Sequence, residues 1–259
     1  RNSLHHGISQ SYYGNYQFTA AFHHNFNKAH DLKLLLGASR ETLDHQTLSA
    51  ERSNYAYPEY QTIDAGADDE YKQTGGSRSQ WALQSFFGRF NYNYKERYLF
   101  EANVRFDGSS RFAPGNRWGI FPSFSAAWRV TEEPFMLNIK NTLTELKVRA
   151  SYGTLGNQNI GSDYYPTIQS LTISSMAANG IIYPVVGLNG MANKDITWET
   201  SEMYDVGIDA VLWNKFNVTA DWYYKTTYGI LMKLDIPSTI GLSAPFQNAG
   251  VVRNIGWEL

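Results

Sequence analysis

Apolar and polar residues alternate along most of this chain with a period of two, and each run keeps one parity. From Tyr204 to Leu212 the even positions are Tyr204, Val206, Ile208, Ala210 and Leu212, with Asp205, Gly207 and Asp209 between them. After Trp213, Asn214 and Lys215 the pattern resumes: Phe216, Val218, Ala220, Trp222 and Tyr224 alternate with Asn217, Thr219, Asp221, Tyr223 and Lys225. Successive side chains of a strand point to opposite faces, so these two runs predict a hairpin with one greasy and one wet face. Tyr98 to Phe106 and Phe86 to Tyr94 predict a second hairpin across Lys95 to Arg97. Trp118 to Val130, Leu146 to Tyr152, Tyr16 to Phe22 and Leu32 to Ala38 carry the same signal, and a further strand begins near Asn248. The sum is about nine strands and an all-β chain.

The connections alternate too. Short ones fall at Asn27 to Asp31, Lys95 to Arg97 and Trp213 to Lys215, with an intermediate one from Thr131 to Glu145. Long ones fall at Leu43 to Gln80, Gly108 to Asn116, Thr154 to Thr197 and Thr227 to Gln247. Bacterial outer-membrane barrels have short periplasmic turns and long extracellular loops, so the expected fold is an antiparallel transmembrane β-barrel segment with Asn27 to Asp31 on the periplasmic side. Trp118, Trp128, Trp198, Trp213 and Trp222 are expected near strand ends, where interfacial girdles belong. The competing reading is a soluble carbohydrate-binding β-sandwich, whose strands also alternate but hide one face in a core.

Composition narrows the classes. The mean hydropathy is -0.42, and no stretch approaches the roughly 18 apolar residues of a spanning helix. Aromatic residues make up 15% of the chain, as long strands favour, and the absence of Cys removes disulfide and thiolate chemistry. A net charge of -2 supplies no basic field for a nucleic-acid partner.

Three stretches resemble one family: VRFDGSSRFAPGNRWGIFPSFSAAWRVTEEPFM from Val104, LKVRASYGTLGNQNI from Leu146, and NAGVVRNIGWEL from Asn248. With WETSEMYDVGIDA and YYKTTYGIL between them, they follow the order of the later barrel half of the SusC/RagA TonB-dependent outer-membrane transporters, from about Trp81 onward. The resemblance implies residues 1–259 are part of a receptor barrel of about 22 strands, with signal peptide, TonB box and plug lying outside them. It implies active import of oligosaccharides or peptides across a Gram-negative outer membrane, with outer-membrane lipid, a SusD-like lipoprotein and the TonB complex as partners. A passive porin or an adhesin on the same wall is the alternative.

No enzyme constellation or cofactor is expected. In His5/His6 and His23/His24, adjacent residues of a strand face opposite sides and cannot chelate one metal from one face. Gly153 to Asn159 lacks the Lys and Ser/Thr of a phosphate loop and reads as a turn in a loop. Asp205, Asp209 and Asp221 share a wall, as acids of a watery interior do. Arg89, Glu101, Arg105, Arg117, Arg149, Asp205, Asp209, Asp221 and Lys225 are the candidates for a lumen lining that faces plug or cargo. Tyr55, Tyr57, Tyr60, Tyr71, Tyr164, Tyr165 and Tyr183 are candidates on extracellular loops, where tyrosine can stack on a sugar ring while its hydroxyl meets water.

Overall fold

The computed structural model describes residues 2–27, 29–57, 59–60, 62–161 and 163–259. Its strands are β1 (Ser3–Phe26), β2 (His30–Ser53), β3 (Gln73–Tyr94), β4 (Tyr98–Ser109), β5 (Trp118–Arg129), β6 (Leu143–Asn157), β7 (Leu171–Ala178), β8 (Ile181–Leu188), β9 (Glu199–Leu212), β10 (Phe216–Tyr228), β11 (Leu231–Lys233), β12 (Phe246–Asn248) and β13 (Val251–Glu258). Two compact units divide them, one of residues 1–16 and 40–83, the other of 17–39 and 84–259. The sheet order is β1-β2-β3-β4-β5-β6-β9-β10-β13, while β7-β8 and β11-β12 are separate ribbons. These nine strands are the ones the alternation marked, although the last begins at Val251 because Phe246–Asn248 pairs with β11 instead.

Tight turns set the registers of the larger unit. Lys95 and Glu96 both have positive φ (52° and 57°), as do Trp213 and Asn214 (49° and 55°). Arg97 N–H donates to Tyr94 O, and Lys215 N–H to Leu212 O. Two left-handed residues inside a four-residue hydrogen-bonded turn give the I′ geometry, whose twist matches that of the flanking strands. From the second turn β9 and β10 pair residue for residue, from Phe216↔Leu212 to Tyr228↔Thr200.

The two faces of this sheet differ as the alternation requires. Tyr204, Val206 and Ile208 are 45–46% exposed, and Phe100, Val104, Ile120 and Phe124 share that exposed face. Asp205 and Asp209, between them, are only part-exposed. The buried apolar residues are Phe112, Phe121, Val130, Met136, Ile160, Ile196 and Trp198, and none lies on the even-numbered face of a sheet strand. A sandwich would hide the even-numbered face in its core, so the sandwich expectation fails. One Trp expectation fails as well, since Trp222 sits in the middle of β10 opposite Val206 and Trp257. Trp198 does stand at a strand end, just before β9, but is buried against Phe112 and Phe121 and not exposed in a girdle.

Strands also outrun the alternation. The expected loop from Leu43 to Gln80 shrinks to residues 54–72, because β2 continues to Ser53 and β3 starts at Gln73. In the smaller unit polar pairs hold these extensions. Asp44 accepts from Arg78 Nε and Nη2 (3.1 and 2.7 Å) and from Gln80 Nε2 (2.9 Å), Tyr13 donates to Glu41, and Thr47 bonds Ser77. A strand wet on both faces carries no hydrophobic period, which is why the pattern stopped early. Gly153 to Asn157 likewise belong to β6 and not to a loop turn. There Gly156 pairs with Thr200 and leaves room for the Phe121 ring, which a Cβ would meet at 2.0 Å.

Connections of the larger unit build a core of their own. Phe112 (1% exposed) and Phe121 meet Trp198 edge-on at 5.4 and 5.3 Å, with Ile160 and Ile196 also buried. Trp198 Nε1 donates to Arg117 O, Asn116 Nδ2 to Lys194 O, and Asn248 exchanges bonds with both Thr197 N and O. Arg111 donates to Gly161 O and Asp163 O while its guanidinium lies 4.8 Å from the Tyr164 ring, and burial pulls its pKa below the ordinary arginine value. We expect Phe112→Ala to cost about 3–5 kcal/mol of local stability. Hydrogen exchange should report it as lost protection in residues 110–117 and 158–198, with β9 and β10 unchanged.

Candidate functional site

The wet face of the larger unit concentrates its charge at one place. In-register pairing aligns Arg149 of β6 with Gly207 of β9, and Gly207 with Asp221 of β10. Gly207 is what lets the outer two meet, since a Cβ there would stand 2.1 Å from Asp221 Oδ1 and 2.6 Å from Arg149 Cζ. The guanidinium therefore passes over the middle strand and donates from Nη2 to Asp221 Oδ2 at 2.7 Å. Its Nε reaches Asp209 Oδ2 (3.2 Å) and its Nη1 reaches Asp205 Oδ1 (3.3 Å). Lys147 adds an ion pair to Asp209 at 2.8 Å. Three carboxylates and two cations leave the cluster one negative charge in excess, and one planar fork satisfies acids on two neighbouring strands.

Beside it lies a trough of about 500 Å³ whose polar lining includes Glu101, Asn91, Lys147, Arg149, Ser151 and Asp205. Small residues form its floor, because Ser125, Ser151 and Asp205 occupy one register row with Glu101 at its end. Glu101 accepts from Asn91 Nδ2 and from Asn103 Nδ2, and Arg89 Nε donates to Asn103 Oδ1 at 2.7 Å. Arg105 forks onto Asp107 (3.2 and 3.0 Å) and donates to Ser85. Lys225 lies in register with Met203 and Asn254. Arg117 takes another course, since its Nε donates to Phe112 O and ties the β4–β5 connection. Of the nine wall candidates, the fold thus joins Arg149 with Asp205, Asp209 and Asp221, and links Arg89 with Glu101 through Asn103.

The loop tyrosines divide among three places. Tyr55, Tyr57, Tyr60 and Tyr71 are in the 54–72 connection of the smaller unit, where Tyr57 and Tyr60 meet edge-on at 6.1 Å. Tyr164 serves Arg111, and Tyr165 follows it in the 158–170 segment. Tyr183 belongs to β8. The short β11–β12 ribbon is one element the alternation missed, and the β7–β8 hairpin is another. Its Asn179 and Gly180 have φ of 52° and 77°. An Asn-Gly pair between apolar runs is the sequence signal that could have disclosed it. Ile173 and Ile182 are 78% and 72% exposed, and Leu171, Met176, Ile181, Val186 and Leu188 are exposed with them. Adjacent histidines separate as strand geometry demands, with His23 paired to Asp31 at 2.6 Å and His24 edge-on to Phe26.

At the other end of the strands Glu133, between β5 and β6, is a polar knot. It accepts from Tyr98 Oη (2.6 Å), Trp128 Nε1 (3.1 Å) and Arg97 Nη1 (3.4 Å). The Tyr98 bond first and the Trp128 bond next hold its carboxyl below the usual range.

This architecture has known counterparts. The TonB dependent receptor-like, beta-barrel family profile matches residues 2–259, so the chain belongs to that family. It is 40% identical over 181 residues to the TonB-dependent receptor P26 of Formosa agariphila, covering 70% of this chain and 18% of that protein. It is 36% identical over 180 residues to the TonB-dependent receptor SusC of Bacteroides thetaiotaomicron, covering 68% and 18%. The RagAB peptide transporter superposes with a TM-score of 0.89 at 23% identity, over 98% of this chain and 28% of that one. The chain thus spans about a fifth of the length of the curated relatives it matches.

Two outcomes follow. Arg149→Gln leaves three carboxylates short of their shared donor and should cost about 1–3 kcal/mol in denaturant unfolding of the full-length receptor. Gly207→Leu should cost a similar amount, and the double variant less than the sum, because both remove the same contact. For Glu133 the folded pKa lies below the unfolded one, so its contribution is complete above the unfolded carboxyl value of about 4.3 and is lost as pH falls through the folded value. Hydrogen exchange of residues 130–139 should accelerate over that acidic window in the native protein, and Glu133→Gln should abolish the pH dependence.

Proposed function

We propose that this segment is part of the wall and loops of an active importer in a Gram-negative outer membrane, taking up oligosaccharides or peptides with energy supplied through TonB. The observation that carries the reading is the inverted sheet. Its apolar face is exposed and its charged face is the more shielded, the arrangement of a barrel with lipid outside and water inside. In that frame the Arg149 cluster and the trough beside it belong to the lumen, where they meet plug or cargo. The longer connections are extracellular, and the turns at Lys95–Glu96 and Trp213–Asn214 periplasmic.

The partner reading is a SusD-like lipoprotein seated on the loops. It is supported by the β7–β8 hairpin, whose exposed apolar side chains form a surface that soluble elements rarely leave uncovered. The hairpin's base is closed by Asn189 N–H to Ser170 O and Gln169 Nε2 to Gly190 O, so it can be removed without cutting a sheet strand.

The test is uptake by cells carrying the full-length receptor. Import of oligosaccharide or peptide should stop when the proton-motive force is dissipated, and uptake that continues would identify a passive pore instead. Deleting residues 172–187 should lower co-purification of the lipoprotein at least tenfold while outer-membrane fractionation stays intact, about 1.4 kcal/mol of lost interface.

A further inference from the structure

Between β5 and β6 the chain makes one short 3-10 helix of six residues, Pro134–Ile139, and all but Asn138 are apolar. Met136 is buried, whereas Phe135, Leu137 and Ile139 are 66, 64 and 47% exposed. The backbone that presents them is fixed at its root. Val130 and Thr131 are buried, and Thr131 Oγ1 accepts from Leu146 N–H at 3.2 Å. Glu133 N–H donates to Val130 O and Met136 N–H to Glu133 O.

Glu133 decides on which side of the sheet this segment lies. It accepts from Tyr98 Oη and Trp128 Nε1, and both residues belong to the even-numbered, apolar face. The connection therefore folds toward that face at the strand ends, and not over the Arg149 cluster. Tyr94, Tyr98 and Trp128 stack there in a row across β3, β4 and β5, with ring centroids 6.2 and 6.4 Å apart. Tyr98 and Trp128 keep their rings on the apolar face and their polar tips on Glu133, as side chains do at a boundary between hydrocarbon and water. Charge beside the segment is cancelled locally. Arg97 pairs with Glu133 and Lys140 with Glu132, each at 3.4 Å, and Arg129 stands 3.8–3.9 Å from Glu96, Glu132 and Glu145. A charged partner finds little to hold, while hydrocarbon finds three large apolar groups continuous with the apolar face of the strands.

We propose that Pro134–Ile139 is a membrane foot. Phe135, Leu137 and Ile139 insert into the phospholipid leaflet at the short-turn end of the strands, and Glu133 with its ring donors marks the headgroup level. Interfacial segments of this kind sink about 5–10 Å into the boundary of headgroups and acyl chains. The foot rests on the reading above that the even-numbered face meets lipid. It adds an anchor beyond the strands themselves, one that fixes the depth and tilt of the wall at that end.

The full-length receptor, carrying a nitrobenzoxadiazole label on one introduced cysteine and reconstituted in phosphatidylcholine nanodiscs, tests it. Three variants are compared: Leu137→Cys, Val206→Cys in the middle of β9, and Lys215→Cys, exposed in the β9–β10 turn at the same end as the foot. Aqueous iodide should quench the 137 label about tenfold less than the 215 label, a partition that sheltering one leucine-sized group is enough to supply. Lipid bearing a nitroxide near its headgroup should quench the 137 label and spare the 215 label. A 137 label as open to iodide as the 215 label overturns the proposal. A 137 label shielded from iodide and also from the nitroxide lipid identifies a protein cover and overturns it equally. The 206 label keeps the two readings apart. Its quenching by a nitroxide deep in the acyl chain upholds the barrel whatever the 137 label does, and its failure to be quenched overturns the barrel reading itself.

Discussion

Hydrocarbon offers no hydrogen bonds and no stabilisation for charge, and everything in this sheet is arranged around that fact. Backbone donors and acceptors are consumed strand to strand, from β4 through β6 to β9, β10 and β13, in registers that run almost without a break. The one irregularity among these pairs is at Leu143/Glu145, where β6 begins. Side chains divide by parity, so that Phe100, Val206 and Ile208 are on one face while Arg149 and Asp205 are on the other. A water-soluble domain hides its apolar face, and here that face is the exposed one.

Stability therefore has to come from sources other than a central core. The compact apolar cluster is at the connections, where Phe112 and the β5 residue Phe121 meet Trp198 and Ile196 is buried, and it makes the β4–β5 and β6–β9 connections a built structure. On the charged face the sheet is cross-braced by side chains. Arg149 reaches over Gly207 to Asp221, which couples strands that share no backbone bond. In the smaller unit, Asp44 of β2 with Arg78 and Gln80 of β3 adds side-chain bonds between neighbouring strands that carry no apolar period. Each brace works in contact with water, so each contributes modestly, and their number matters more than any one of them.

Functionally, these devices separate two tasks. A wall of register-locked strands keeps its charges at fixed positions, as the importer proposed above would require of its lumen. Loops with their own core present surfaces of defined shape, and the β7–β8 hairpin, with apolar side chains out and its base pinned, is the least self-sufficient of them. Binding energy from a partner would complete what the hairpin lacks.

Much of this was readable in the order of residues. Period-two runs located all nine sheet strands, and three-residue gaps at Lys95 to Arg97 and Trp213 to Lys215 marked turns, because both depend on neighbours within a few positions. Asn179-Gly180 was legible in the same way and went unread. Where strands are wet on both faces, as from Arg40 to Ser53, no periodic signal exists, and their length was decided by partners some 30 residues away, such as Arg78 for Asp44. Nor could spacing show that β6 pairs with β9 across the β7–β8 excursion, that Gly207 is an aperture and not a spacer, or that Trp198 turns inward. Those outcomes depend on which strand lies alongside which, a property of pairing across the sheet that no local pattern contains.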